Sequence, residues 1–308
     1  MDHKQEHYYV PEQSRLPLFA SLGLFLTVFG LANWLNELKS GESGSGTLVF
    51  FLGLGFFCYV LYVWFSTVVN ENIRGMNSAQ LKRSYVWGIG WFIFSEVMFF
   101  AAFFGALLYI RVFALPELSH GPTSELLWNN FEAEWPLMTT PDQALNGDKA
   151  TVTGPGENMS NPGWSISKWL GWLPFWNTLV LLISSVTVHF AHTALLNDNK
   201  KAFNWYLGIT VLLGVGFLFL QYEEYVHSYH VGLTLDSGAY GTTFFLLTGF
   251  HGLHVTLGTF MLLVQWLRSV LKGHFKHDDC FGFEASSWYW HFVDVVWVGL
   301  FLFVYVFG

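Results

Sequence analysis

The chain is short of charge. Lys, Arg, Asp and Glu make up 12% of its 308 residues, about half the share found in soluble domains. That leaves too little polar surface to face water on all sides. There is no run of basic residues, and the net charge is −8, so the electrostatic footprint of a nucleic-acid binder is missing. Only two cysteines are present. Cys58 falls in an apolar segment and Cys280 in a short loop, which is neither a disulfide framework nor a zinc site. The motifs HExxH and CxxCH are absent, which removes the zinc-protease helix and the covalent haem attachment site. We find no internal repeat and no low-complexity tract. The first apolar run is longer than a signal-peptide core and lacks a small-residue cleavage site, so a retained first helix is expected.

What is abundant is apolar and aromatic. Hydrophobic residues reach 53% and aromatics 19%, with 32 Phe and 15 Trp; Trp and Tyr favour the two membrane interfaces. Apolar stretches long enough to span a bilayer occur at residues 16–35, 48–69, 85–113, 170–195, 205–222, 240–267 and 285–307. No alternating pattern of barrel strands is seen, and backbone groups in hydrocarbon must be satisfied internally, so these read as helices. Length alone allows two soluble domains, but the segments argue for a single membrane domain over residues 1–308. The expected fold is an all-α, seven-helix transmembrane bundle.

The connections orient it. One side receives Lys4, Arg15, Arg74, Lys82, Arg83, Lys200, Lys201, Arg268, Lys272 and Lys276; the other receives Lys39, Arg111, Lys149 and Lys168. The positive-inside rule puts the N-terminus inside and the C-terminus outside. Residues 114–167 form a long connection on the outer side. It is rich in Gly, Pro and Asn and carries Glu117, Glu125, Glu132, Glu134, Asp142, Asp148 and Glu157. One reading is a solvated lid over helix ends. The other is a docking surface that steers a basic partner.

Ionisable residues within the spans are costly and default to functional candidates. Glu96, in WFIFSEVMFF, lies about 16 Å from the inner end of the third helix at 1.5 Å per residue. It is either a proton-linked or lipid-facing carboxyl, or a structural acid bonded to another helix. His291 and Asp294, in WYWHFVDVVW, share a face of the seventh helix. They are a proton relay, a metal-ligand pair or an interhelical polar clamp. His251 and His254, in GFHGLHV, and His189 and His192 repeat the same spacing. Such pairs invite a metal or haem reading, but the two pairs lie at different depths, and histidines often bond between helices in lipid. Glu223 and Glu224 are placed at the outer end of the fifth helix. Glu284 starts the seventh, where a carboxylate suits the helix dipole. Gly249, Gly252 and Gly258 allow close packing of the sixth helix. Alone, these residues describe a bundle with buried acids and no recognisable redox centre.

Several strings are more specific. SEVMFFAAFFGALLY resembles the third-helix signature of the cytochrome c oxidase subunit III family, within the haem-copper oxidases. LQYEEY and YGTTFFLLTGFHGLHVTLGTFML resemble its fifth and sixth helices, and FGFEASSWYWHFVDVVWVGLFLFVYVFG its C-terminal signature. The resemblance is dense from about Gly214 to the end, clear over residues 85–109, and little more than hydropathy over the first two helices. It implies a seven-helix subunit with no haem, copper or catalytic centre of its own. Such a subunit belongs to an enzyme that passes electrons from cytochrome c to oxygen and pumps protons in aerobic respiration. The resemblance implies that helices 1–2 are separated from helices 3–7 by a cleft that holds phospholipid. It makes Glu96 the buried carboxyl near that cleft and puts Glu224, His251, His254, Glu284, Trp290, His291 and Asp294 on family motif positions. Haem and copper belong to partner subunits I and II. The implied role is to stabilise the catalytic subunit and support proton uptake, with cytochrome c a candidate partner at the acidic outer connection. Two departures stand out. His192 is followed by Thr193, where the family often has paired histidines, and the connection at 114–167 is longer than in compact members. The first removes any role that needs both histidines; the second points to a bacterial form, in the inner (plasma) membrane, with an added surface on the outer face. The alternatives are a quinol oxidase subunit III, whose five-helix form lacks the first two helices, and a proton-coupled transporter using Glu96 and Asp294.

Overall fold

The computed structural model describes residues 13–41, 44–156, 165–275 and 280–307. Lys4, Glu157 and Lys276 lie outside the described residues. Seven helices among them are long and apolar enough to cross a membrane: α1 Leu16–Ser40, α2 Gly46–Ile73, α3 Ala79–His120, α4 Leu173–Leu196, α5 Lys200–His230, α6 Gly238–Lys272 and α7 Phe281–Val306. The shortest has 24 residues and is about 36 Å long, enough for a hydrocarbon core of about 30 Å.

Local chemistry sets the ends. Pro17 and Pro174 sit in the first turns of α1 and α4, where a missing N–H costs nothing. The Asn199 side chain accepts from the Ala202 N–H to cap α5. Gly41 and Gly273 close α1 and α6 at φ 71° and 60°, a region open to glycine. In α3 the helix widens over Ile110–Ala114 and resumes as Leu115–His120. Pro116 lies just beyond the widened turn. Its ring would collide with the carbonyl four residues back in a regular helix, and a single wider turn relieves that.

The chain divides into two compact units, Met1–Gly88 and Ile89–Gly308. In the first, α1 and α2 pair along a line of glycines. A Cβ at Gly30 would collide with the backbone nitrogen of Phe50, and one at Gly53 would stand 2.6 Å from the Thr27 nitrogen. Small residues let helix backbones approach, which is how helices hold together in lipid. The outward positions Leu18, Phe25, Leu35, Leu52 and Tyr62 are exposed, as suits an apolar solvent.

In the second unit, α4, α5, α6 and α7 form a ring, each packed on the next and α7 closing back on α4. The later part of α3 lies against α6 and α7 through Phe99 on Phe250, Phe100 on Phe292 and Phe104 on Phe303. The core is richest along α7, where Phe283, Tyr289, Trp290, Val293, Trp297 and Leu300 are buried. Trp290 occupies a notch. A Cβ at Gly214 of α5 or Gly258 of α6 would stand 2.9 or 2.8 Å from its ring, and its Nε1 donates to Ser184 Oγ of α4 at 3.0 Å. Nearer the far end of α7, Trp297 Nε1 donates to Thr178 Oγ1 at 2.9 Å.

The described part of the connection between α3 and α4 is folded. It contains short helices at Ser124–Leu127, Pro141–Asn146 and Ile166–Trp169. Phe131 and Leu137 are buried, and Trp135 stacks edge-on against Tyr240 at 5.2 Å. Thr140 and Gln143 cap Pro141–Asn146 reciprocally. Asp142 accepts from the Asn146 side chain, the Thr151 hydroxyl and N–H, and the Val152 N–H. These bonds to the ionised form hold its pKa down at about 2.

Two outcomes follow. Gly30→Leu should destabilise the α1–α2 pair by about 1–3 kcal/mol, whereas Gly55→Ala, with open space around it, should be neutral; thermal unfolding in detergent separates them. Because the Asp142 pKa is depressed on folding, its contribution is complete above the ordinary carboxylate value and is lost as pH falls from there through about 2. Amide exchange at Thr151 and Val152 should speed up over that window, and Asp142→Asn should remove the pH dependence.

Candidate functional site

Glu96 of α3 meets His254 of α6. His254 Nδ1 lies 2.6 Å from the Phe250 carbonyl oxygen. A carbonyl only accepts, so that nitrogen carries a hydrogen. The other nitrogen, Nε2, stands 3.0 Å from Glu96 Oε2, and a single proton between them completes the bond, whichever atom holds it. Four aromatic rings surround the imidazole: Phe99, Phe100, Tyr289 and Phe292. The Glu96 side chain is 23% exposed and that of His254 9%, so the carboxyl forms the open edge of the pair. Ser95 Oγ lies 3.5 Å from its other oxygen.

His251 does not share this site. It is wholly buried, packed on Phe217 and Trp297, and its Nε2 donates to the Val293 carbonyl at 3.2 Å. The two histidines of GFHGLHV therefore serve different neighbours. Among the described residues, no group of three His, Cys, Asp or Glu side chains is placed to hold a metal ion.

Glu224 is not at a helix end. The helix α5 continues to His230, so Glu224 is buried within it while Glu223 is exposed. Gln221 Nε2 donates to Glu224 Oε2 at 3.0 Å, and Asn177 Nδ2 of α4 donates to Gln221 Oε1 at 3.1 Å. The Tyr305 hydroxyl of α7 faces the same carboxyl. The apolar stretch at 205–222 stopped short of Glu224 because Gln221, Glu223 and Glu224 interrupt it. Gln221 three residues before Glu224 was the visible sign of a same-face pair.

The remaining motif residues tie α7 to α4. Glu284 Oε1 is 3.5 Å from His192 Nε2. His291 Nδ1 is 2.9 Å from Ser185 Oγ and 3.6 Å from Asp294 Oδ2. With Ser184–Trp290 and Thr178–Trp297, these pairs climb one helix as they descend the other, which is an antiparallel register. Nothing in the sequence marked Ser184, Ser185, Asn177 or Thr178, because a hydroxyl or amide in an apolar run does not say which helix it meets.

Residues 6–132 and 168–308 match the family described as Cytochrome c oxidase subunit III. This chain belongs to that family. Full-length relatives named cytochrome c oxidase subunit 3 include those of Felis catus, 34% identical over 311 residues, Equus asinus, 35% over 309, and Loxodonta africana, 36% over 309, each covering all of both chains. The chain is therefore a subunit III of the respiratory oxidase, a multi-pass membrane subunit that carries no catalytic centre.

Every motif residue of this subunit III lies within the matched ranges; the one internal stretch outside them is 133–167. That unmatched stretch is the part of the α3–α4 connection that carries Leu137, Thr140 and Asp142. Within the bundle, several polar groups of this subunit III tie one helix to another. Trp290→Ala should cost about 3–5 kcal/mol, whereas Trp290→Phe, which keeps a ring but loses the bond to Ser184, should cost about 1 kcal/mol. The temperature at which the subunit leaves the detergent-solubilised oxidase reads both.

Proposed function

We propose that this subunit III stabilises the catalytic subunit I of a proton-pumping haem-copper oxidase, beside subunit II, and supports proton uptake into it. In this reading haem and copper reside in those partners. Phospholipid packs beside Glu96. The observation that carries the reading is the Glu96–His254 pair: a carboxyl held to an imidazole at 3.0 Å, boxed by aromatic rings and open along one edge. A charged or proton-sharing group at that depth persists only with a firm partner. Held in this way, it gives lipid chains a dry, stiff wall with a single polar point. The other motif residues, Glu224, His251, Glu284, Trp290, His291 and Asp294, keep that wall in place.

The excess of Lys and Arg on one side supports an N-terminus inside and a C-terminus outside; the long connection at 114–167 is the ground for placing the chain in a bacterial plasma membrane. The α3–α4 connection then lies outside, with Glu117, Glu132, Glu134 and Asp148 exposed. We assign these acids to steering cytochrome c towards the oxidase.

Glu96→Gln should keep the geometry, since an amide N–H can donate to His254 Nε2, but it removes the exchangeable carboxyl proton. Initial oxygen consumption should be retained, and activity should decay faster during sustained turnover. Loss of haem or copper from the complex would contradict the reading. Replacing the four exposed acids by their amides should flatten the dependence of turnover on ionic strength, because screening acts on such long-range attraction. An unchanged salt profile would reduce the connection to a lid.

A further inference from the structure

We propose that Asn146–Gly147 is a deamidation site held in check by Asp142, so that the connection between α3 and α4 carries a slow covalent switch of its own charge and shape.

Asn146–Gly147 is the one Asn-Gly step in the sequence, and it falls in the stretch outside the family match. An asparagine followed by glycine closes on itself more readily than before any other residue, because glycine leaves its own nitrogen unshielded and free to turn. The step sits at the end of the short helix Pro141–Asn146, and Leu145, Asn146, Gly147 and Asp148 are all exposed. A Cβ on Gly147 would meet nothing within 4 Å, and its φ is 55°, a backbone region open to glycine. Water therefore reaches both reacting groups.

The chemistry needs only the chain and water. The Gly147 nitrogen loses its proton and attacks the side-chain carbonyl carbon of Asn146. A C–N bond forms, the bond to Nδ2 breaks, and ammonia leaves with that proton. Water then opens the cyclic imide at either carbonyl and leaves aspartate or isoaspartate.

Two bonds oppose the first step. Asn146 Nδ2 donates to Asp142 Oδ1 at 2.6 Å, which holds the amide towards the preceding turn of the helix and away from Gly147. The Gly147 N–H donates to the Gln143 carbonyl, which keeps its proton in place. Asp142 is itself fixed from the other end of the stretch by the Thr151 hydroxyl and N–H and by the Val152 N–H. Asn146 cannot turn to react unless this network opens.

Conversion would also break the network. A carboxylate would stand where the Asn146 amide had donated to Asp142. Two like charges at bonding distance repel, and Asp142 would have lost a donor. The bonds to Thr151 and Val152 would then loosen. Glu132, Glu134 and Asp148 of the same connection are already exposed acids, so the new charge has their sign.

The test incubates the intact oxidase at mildly alkaline pH, beside a synthetic peptide of residues 140–152. Digestion and mass spectrometry, with separation of aspartyl from isoaspartyl products, give the fraction converted. Asn146 in the intact complex should convert more slowly than in the peptide. Asp142→Ala should raise the rate in the complex about ten- to a hundredfold, the effect of one hydrogen bond to a charged group. Thr140→Val removes the cap of the same short helix but leaves Asp142 in place, so it should raise the rate less. Equal rates in complex and peptide, or no greater acceleration with Asp142→Ala than with Thr140→Val, would overturn the check by Asp142. Asn146→Asp reads the consequence: amide exchange at Thr151 and Val152 should quicken about tenfold. Unchanged exchange there would overturn the switch.

Discussion

Trp290 stands where four helices meet, and the arrangement depends on what its neighbours lack. Gly214 of α5 and Gly258 of α6 carry no side chain where the indole sits. Its N–H then reaches Ser184 of α4. A side chain of that size in the centre of the ring fixes how far apart α4, α5 and α6 stand from α7. In a membrane there is no hydrophobic force pulling one helix to another, so close packing and interhelical hydrogen bonds must hold the bundle. Trp290 supplies both. Around it, Trp297 repeats the scheme with Thr178 and with the ring of Phe217.

The polar residues obey a related constraint. Each buried group in hydrocarbon needs a partner, and a partner on the next helix adds cohesion at the same time. Gln221 and Asn177 serve Glu224, Glu284 meets His192, and the Val293 carbonyl takes the His251 proton. Two places remain partly open, Glu96 beside His254 and His291 beside Asp294. In each, one member keeps an exposed edge, the Glu96 side chain at 23% and that of His291 at 39%.

The seven spans were legible in the sequence, because a run of apolar residues long enough to cross a bilayer has few other uses. The family was legible in the strings around Glu96, His251 and His291. The pairings were not. Helical spacing suggested that His251 and His254 act together, yet they differ by about 60° in bearing and by most of a turn along the axis, enough to send one to Val293 and the other to Glu96. Glu224 was misplaced at a helix end because polar residues interrupt the apolar run there. In space they satisfy each other, and the helix runs on to His230. The connection at 114–167 showed turn residues and acids but not its folded part, since the burial of Leu137 depends on packing that turn chemistry does not report.

A subunit III that carries no catalytic centre should take no redox centre with it when it leaves the oxidase. The most direct measurement is an optical and metal analysis of the purified complex before and after this subunit is stripped away, with mass spectrometry of both fractions. All haem and copper should remain with the other subunits, and the released chain should be colourless. Haem or copper carried away with the released chain would contradict it.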